Sequence, residues 1–171
     1  MKQEVYNKFI IDFSNNLYSV TQKNNFSDTI IFCIGTDRVT GDSLGPIVGY
    51  KLANLFKDTQ VKVIGDLDNV VNANNVQKEI NKIYVKYKSP CIIAIDSALS
   101  SKNNLGDIIV SKEQIKLGDG LGKKIGSIGD ISIKAVVGID NQKVEHNFKN
   151  LQNTRLRLSN ETSRYHCIWH V

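Results

Sequence analysis

The stretch Thr29-Ile-Ile-Phe-Cys-Ile34, followed by Gly35, decides the fold of this chain. Its apolar residues follow one another without alternation, which is typical of a strand covered on both faces in a parallel sheet. Val61-Lys-Val-Ile64 and Cys91-Ile-Ile-Ala-Ile95 are predicted as the second and third strands. Asp96 follows the third strand directly, so a carboxylate is expected at the end of a buried run.

Helical patterns precede the first strand and separate the three strands. Their apolar positions recur at three- and four-residue intervals: Tyr6, Phe9, Ile10, Phe13 and Leu17, then Leu44, Val48, Leu52 and Leu55, then Val76, Ile80, Ile83 and Tyr87. The β-α-β-α-β alternation has crossovers long enough for parallel pairing, so a layered α/β fold with a mostly parallel sheet is predicted. Further strands are predicted at Asp107–Val110 and Ile131–Val137, and a last helix from Val144 to Leu158.

The composition predicts one ordinary domain over residues 1–171. Apolar residues make up 41% and charged residues 23%, close to the averages of soluble globular proteins. The net charge of +5 is spread along the chain, so nucleic-acid binding is not expected. There is no apolar run of roughly eighteen residues, no signal-peptide core and no disulfide framework among three distant cysteines. We therefore expect a cytoplasmic protein that does not bind membranes.

Carboxylates follow each of the first three predicted strands. Asp37 and Asp42 come after the first, Asp66 and Asp68 after the second, and Asp96 after the third. In open α/β sheets, ligands bind outside the carboxyl ends of the strands, so these aspartates are candidates for a site. Aspartate is also a common loop and N-cap residue, and this plainer interpretation is favoured for the three other than Asp42 and Asp96.

Asp42 and Asp96 are the stronger candidates. Asp42 lies just before the predicted helix near Ser43, where a carboxylate can cap free backbone N–H groups and is stabilised as an anion. Asp96 emerges from five apolar residues, and such burial raises a carboxyl pKa. Two carboxyls in unlike environments can divide the roles of base and acid. Both could instead be anionic metal ligands, and the two alternatives stay open at this point.

A glycine-rich stretch from Gly118 to Gly129 is the second candidate feature. A Walker loop would need glycine at Leu117 and Ser or Thr at Lys124, and a dinucleotide fingerprint would need glycine at Lys123. Neither nucleotide motif is present. The stretch is interpreted either as a substrate-binding flap of backbone amides or as a plain surface loop.

The segments Gly41-Asp-Ser-Leu-Gly-Pro46 and Ala94-Ile-Asp-Ser-Ala98 resemble the two aspartate motifs of the spore germination protease, an aspartate-dependent peptidase that digests small acid-soluble spore proteins. A family of short sporulation proteins related to that protease is the closer match. It is similar in its Gly-Thr-Asp segment, its Gly-x-Gly-x-x-x-x-x-x-Gly-Asp-Ile-Ser-Ile pattern and its Leu-Gln-Asn-Thr-Arg segment. Here these are Gly35–Asp37, Gly120 to Ile133 and Leu151–Arg155.

The resemblance implies a three-layer, phosphorylase/hydrolase-like α/β sandwich, shared with the hydrogenase-maturation endopeptidases. It implies that Asp42 and Asp96 are the catalytic carboxylates, one activating water and the other protonating the leaving amine. The predicted substrate-binding residues are Thr36, Asp37, Gly118, Gly120, Gly122 and Gly126. The maturation endopeptidases use a histidine as a third metal ligand. This chain has no histidine before His146, so neither a metal nor another cofactor is expected.

Three functions compete at this stage. The first is an aspartate-dependent peptidase acting on small spore proteins in sporulation or germination, located in the cytoplasm of a forespore or spore. The second is a non-catalytic binding or assembly protein of the same fold, which would use the glycine-rich loop and Lys123-Lys124 as its contact surface. The third is a metal-dependent amide hydrolase. The expected partner of the first is a protein or peptide substrate, and homo-oligomer formation stays open.

Overall fold

The computed structural model describes residues 3–118, 126–140 and 151. Its strands are β1 (Asp28–Cys33), β2 (Val61–Ile64), β3 (Pro90–Ser100), β4 (Ile108–Ser111), β5 (Ile115–Leu117), β6 (Gly126–Ile128) and β7 (Ile131–Ile139). Its helices are α1 (Gln3–Thr21), α2 (Leu44–Leu55) and α3 (Val76–Lys86), with 3-10 turns at Thr40–Ser43 and Lys102–Asn104. No helix in these ranges is both long enough and apolar enough to cross a membrane.

Five of the strands form one mixed sheet in the order β2-β1-β3-β7-β4. β1 pairs in parallel with β2 and β3, and β3 pairs in parallel with β7, whereas the edge strand β4 is antiparallel to β7. The predicted layered α/β fold with a mostly parallel sheet is therefore confirmed. β5 and β6 pair with each other as a separate antiparallel ribbon.

Apolar side chains cover both faces of the sheet, because successive residues of a strand point to opposite sides. On one face, Ile31, Ile93 and Ile133 pack with the buried residues of α1 and α2. On the other face, Phe32 and Ile92 pack with two groups of buried residues. These groups are Val76, Ile80 and Ile83 of α3, and Ile115, Leu117 and Ile128 of the β5–β6 ribbon. The sheet is thus the middle layer.

The third strand differs from the prediction. It does not stop at Ile95 but runs on to Ser100, so Asp96 lies within β3 rather than after it. The reason is its neighbour β7, which continues to pair with β3 from Lys134 to Ile139 after β1 has ended. The predicted last helix, Val144 to Leu158, lies outside the described residues apart from Leu151, which is helical and packs on the α1–α2 face.

The glycine-rich stretch also differs from a continuous loop. Its beginning and end are the strands of the β5–β6 ribbon, in which Leu117 pairs with Gly126. The residues between Gly118 and Gly126, including Gly120 and Gly122, lie outside the described part of the chain.

Candidate active site

The carboxyl end of β1, beside β3, is a switch point of the sheet, the place where open α/β sheets form a ligand-binding crevice. From β1 the chain crosses through α2 to β2 on one side, and then through α3 to β3 on the other side of β1. The direction of winding therefore reverses between β1 and β3, which is where open α/β sheets bind their ligands. Both aspartates that the sequence favours lie beside this switch point, Asp42 in the loop after β1 and Asp96 in β3 just beyond the end of β1.

The loop after β1 holds Asp42 at this switch point. Gly35 has φ +148° and its backbone packs directly against the Asp42 carbonyl, so a Cβ at this position would collide with that oxygen. The Thr36 N–H donates to the same carbonyl at 3.0 Å, and the Asp42 N–H donates to the Val39 carbonyl at 2.9 Å. The loop is thus tied back on itself, and Asp42 is held in a 3-10 turn.

Asp42 is not the N-cap that the sequence suggests. The N-cap of α2 is Ser43, which makes no capping hydrogen bond and donates its hydroxyl to the Thr40 carbonyl at 2.6 Å. A 3-10 turn precedes α2, and it places Asp42 one residue before the cap. The Asp42 carboxylate is therefore directed to another partner.

Asp96 is the first residue of β3 beyond the end of β1. Cys33, the last residue of β1, is opposite Ile95, and the Ile34 N–H donates to the Ile95 carbonyl at 2.8 Å. From Asp96 onward only β7 pairs with β3, and Lys134 is the register partner of Asp96. The residues of β3 change here from buried to half-buried.

Ser97 joins the two aspartates. Its hydroxyl donates to Asp42 Oδ1 at 3.1 Å, and its backbone N–H donates to Asp96 Oδ1 at 2.8 Å. One residue therefore contacts both carboxylates, although they are 54 positions apart in sequence (96 − 42).

The two carboxyls have raised but unequal pKa values. Burial raises the pKa of Asp42, and the hydrogen bond from Ser97 opposes this by stabilising the carboxylate. Burial raises the pKa of Asp96 well above its ordinary value, and the negative charge of Asp42 raises it further. The Ser97 N–H and the positive charge of Lys134 oppose the shift at Asp96. The pKa of Asp96 is thus raised further than that of Asp42, so Asp42 ionises first as the pH rises.

A pair with this division can act as an acid and a base. The ionised carboxylate can accept a proton from water, and the protonated one can donate a proton to a leaving group. No group of three or more histidine, cysteine, aspartate or glutamate side chains is placed to hold a metal ion within residues 3–118 and 126–140.

The predicted substrate-binding residues belong to the loop after β1 and to the glycine-rich stretch. Thr36 is half-buried, and its hydroxyl accepts the Arg38 N–H at 3.3 Å, while Asp37 is exposed. Gly118 and Gly126 flank the ends of the β5–β6 ribbon, with φ values of +82° and +137°. Binding by these residues stays a prediction, as does binding by Gly120 and Gly122.

Sequence reasoning missed two residues of the site. Ser97 follows Asp96 directly and was read only as part of that motif, and Lys134 was read only as a strand residue. Lys134 could have been found only by extending the third strand beyond Asp96 and pairing it with β7, in which Lys134 is opposite Asp96. No sequence pattern pairs Ser97 with Asp42.

The fold and the site define an α/β protein with a buried carboxylate pair at the switch point of its sheet. The chain belongs to the family described as "Protein of unknown function (DUF1256)", whose model matches residues 2–165. It is 38% identical over 129 residues to the uncharacterized protein YyaC of Bacillus subtilis (strain 168). This match covers 75% of the chain and 61% of that relative, so the chain spans less than two thirds of the relative's length.

A solved structure shares the fold. The NiFe hydrogenase maturation protease HycI from Thermococcus kodakarensis KOD1 aligns with a TM-score of 0.51 and 17% identity. The alignment covers 82% of this chain and 87% of HycI. The α/β fold with a mostly parallel central sheet is therefore similar to that of a hydrogenase maturation protease, as the resemblance implied.

Proposed function

We propose that this chain is an aspartate-dependent peptidase with Asp42 and Asp96 as its catalytic residues. The observation that carries the proposal is the contact of both carboxylates with Ser97 at the switch point of the sheet, where their pKa values are raised to different extents. Because the fold is similar to that of a hydrogenase maturation protease, peptidase activity is one of the activities that this fold can host.

The proposed reaction uses the two carboxyls in opposite protonation states. Asp42 accepts a proton from a water molecule, whose oxygen bonds to the carbon of the scissile carbonyl. The bond between that carbon and nitrogen then breaks, and Asp96 donates its proton to the leaving nitrogen. The products are a carboxylic acid and an amine. Asp42 returns its proton to solvent and Asp96 takes one up, which restores the starting state.

The open edge of β3 supports an extended peptide as the substrate. The Ile95 carbonyl faces β1 and the Ser100 carbonyl faces β7, where the Asp140 N–H donates to it at 2.9 Å. By alternation, the Ser97 carbonyl and the N–H and carbonyl of Leu99 face the space beyond the end of β1. The Ser97 N–H already donates to Asp96 Oδ1. The described part of the chain contains no strand on that side. A substrate strand can pair there with its scissile bond beside Asp42 and Asp96.

Small spore proteins are the proposed substrates, in a forespore or spore, because the aspartate segments resemble those of the spore germination protease. In this proposal Thr36, Asp37 and the glycines at 118, 120, 122 and 126 contact the substrate. The role in sporulation rests on this resemblance alone, whereas the peptidase chemistry also rests on the geometry of the pair.

The test is digestion of acid-extracted spore proteins, with the new peptide ends identified by mass spectrometry. We expect the wild type to cleave, and Asp42→Asn and Asp96→Asn each to lose at least about a thousandfold in rate, because each removes one partner of the proton transfers. The matched control is Asp68→Asn, which neutralises an exposed carboxylate at the same edge of the sheet. It is expected to cleave normally.

Each outcome assigns the site to one hypothesis. Cleavage by the wild type that persists in both aspartate variants contradicts the proposal. Cleavage that a chelator abolishes and added zinc or manganese restores would favour a metal-dependent amide hydrolase. A wild type as inert as its variants would favour a binding or assembly protein, and capture of partners by variants of the glycine-rich loop would then be compared.

A further inference from the structure

Ser97 carries an inference that rests on the proposed function and deepens it. We propose that Ser97 is a positioning residue that holds Asp42 as the ionised member of the pair and orients Asp96 beside it. Its hydroxyl would hold Asp42 as the carboxylate, and its backbone N–H would fix the orientation of the Asp96 side chain. Ser97 itself takes no part in bond making or breaking.

The alternation of β3 explains how one residue contacts both carboxyls. Asp96 and Ser97 are consecutive, so their side chains leave the strand on opposite faces. Ser97 is the register partner of Ala135, which belongs to the core on the α1–α2 face, and its hydroxyl meets Asp42 in the turn that leads to α2. Its N–H remains in the plane of the sheet, where Asp96 Oδ1 folds back to accept it.

The direction of the hydroxyl bond decides its effect. An ionised carboxylate accepts hydrogen bonds only, and a serine hydroxyl has one proton to donate. Donation from Ser97 to Asp42 Oδ1 therefore stabilises the ionised form of Asp42 against the effect of burial. Ser43 cannot substitute for Ser97, because its hydroxyl proton is engaged with the Thr40 carbonyl.

The ionised Asp42 in turn acts on Asp96. Its negative charge favours the protonated form of Asp96, while Lys134 of β7 acts in the opposite direction. These are the charged groups that act on Asp96 from the elements packed around it in the described part of the chain. Removing the Ser97 hydroxyl should therefore raise the pKa of Asp42 toward that of Asp96, which itself loses no hydrogen bond.

The test is a carbon-13 NMR titration of the aspartate carboxyls in the wild type, Ser97→Ala, Ser97→Thr and Ser100→Ala. The signals are assigned with Asp42→Asn and Asp96→Asn. In Ser97→Ala we expect the pKa of Asp42 to rise and that of Asp96 to change little, because Asp42 is already ionised where Asp96 titrates. Ser97→Thr keeps a hydroxyl and should titrate like the wild type. Ser100→Ala, which removes a hydroxyl from the same strand at the Asn104 contact, should change neither.

Activity gives a second readout. The acid limb of the pH–rate profile of Ser97→Ala should move to higher pH, with a loss of about tenfold on that limb, the size of one hydrogen bond to a charged group. An Asp42 titration unmoved in Ser97→Ala, or equally moved in Ser97→Thr, overturns the inference even if the enzyme cleaves. If the Asp42 titration moves in Ser97→Ala but the wild type cleaves nothing, the role of Ser97 is supported and the peptidase is contradicted.

Discussion

Asp66 and Asp96 lie at the same edge of one sheet, but they differ in their hydrogen-bond partners and in the charge beside them. Asp66 follows β2, and its Oδ1 accepts the N–H groups of Asp68 at 3.0 Å and Asn69 at 2.6 Å. It thus closes its own loop as an Asx turn. Asp96 lies near a second carboxyl, that of Asp42, and its pKa is raised well above the ordinary value.

The difference shows what makes a carboxylate chemically useful here. Both residues lie at the carboxyl edge of the sheet, but only Asp96 lies beside the switch point between β1 and β3. There the negative charge of Asp42 raises the pKa of Asp96 beyond the effect of burial. The predictions below test this difference between the Asp42–Asp96 pair and the loop that follows β2.

The largest effect is expected from Gly35→Ala, which disturbs the Asp42 side of the pair. The added Cβ would meet the Asp42 carbonyl and approach Pro46 Cδ at 3.0 Å, in a backbone conformation that L side chains rarely adopt. Strain and overpacking together should lower the free energy of unfolding by about 3 kcal/mol or more. Urea unfolding followed by circular dichroism measures this loss.

Gly106→Ala is the matched control for that substitution. Gly106 also has a positive φ, +90°, but an added Cβ would meet nothing within 4 Å. Only the left-handed conformation then opposes the substitution, and the loss should be about 1 kcal/mol. Equal losses in the two variants would mean that the loop around Asp42 is not tightly built.

The sequence predicted the fold because the buried strands are unbroken apolar runs and the helices carry apolar residues at three- and four-residue intervals. Thr29 to Ile34 and Val61 to Ile64 match β1 and β2 within one residue at each end. The third strand was cut short at Ile95 because a charged residue follows, and charge is a poor marker of a strand end when a neighbouring strand keeps pairing.

The candidate site was predictable only in part. Asp42 and Asp96 could be named because each follows a buried run or precedes a helix, and two strand ends of a parallel sheet meet at one edge. The contacts of Ser97 could not be named, because they depend on a 3-10 turn and on the face from which a side chain leaves β3. The assignment of Asp42 as a helix cap was wrong for the same reason.

An intermediate effect is expected from Leu99→Pro, which tests whether the open edge of β3 binds the substrate. The Leu99 N–H faces away from β7, so proline removes a donor that the sheet does not use, as edge positions tolerate. If a peptide strand pairs there, KM should rise about fivefold to tenfold, the size of one hydrogen bond, while kcat changes little.

Leu99→Ala separates the backbone from the side chain in this experiment. It removes the apolar side chain but keeps the N–H, so KM should stay near that of the wild type. Methylating the substrate nitrogens one at a time gives an independent measurement with unmodified protein. A KM that is raised equally in both variants, with no sensitive substrate nitrogen, would contradict strand pairing at this edge.

The smallest effect is expected on the stability of the folded protein, and the test compares Asp96 with Asp66. Folding raises the pKa of Asp96 above its ordinary value of 3.8, so the folded state binds its proton more tightly than the unfolded chain does. Stability from this group is therefore full below pH 3.8 and is lost as the pH rises toward the folded pKa. Asp96→Asn imitates the protonated carboxyl and should be more stable than the wild type at pH 8 and equal to it at pH 3.

Asp66→Asn is the control that makes this result specific to the enclosed site. Its amide oxygen can still accept the two backbone N–H groups, so its free energy of unfolding should stay within about 0.5 kcal/mol of the wild type at both pH values. Urea unfolding at pH 3 and pH 8 measures the free energy of unfolding of each variant relative to the wild type at each pH. If Asp96→Asn gains nothing at pH 8, Asp96 ionises in the folded protein without a cost in stability. It could not then hold the proton that the leaving amine needs, and the acid and base would have to be assigned the other way round.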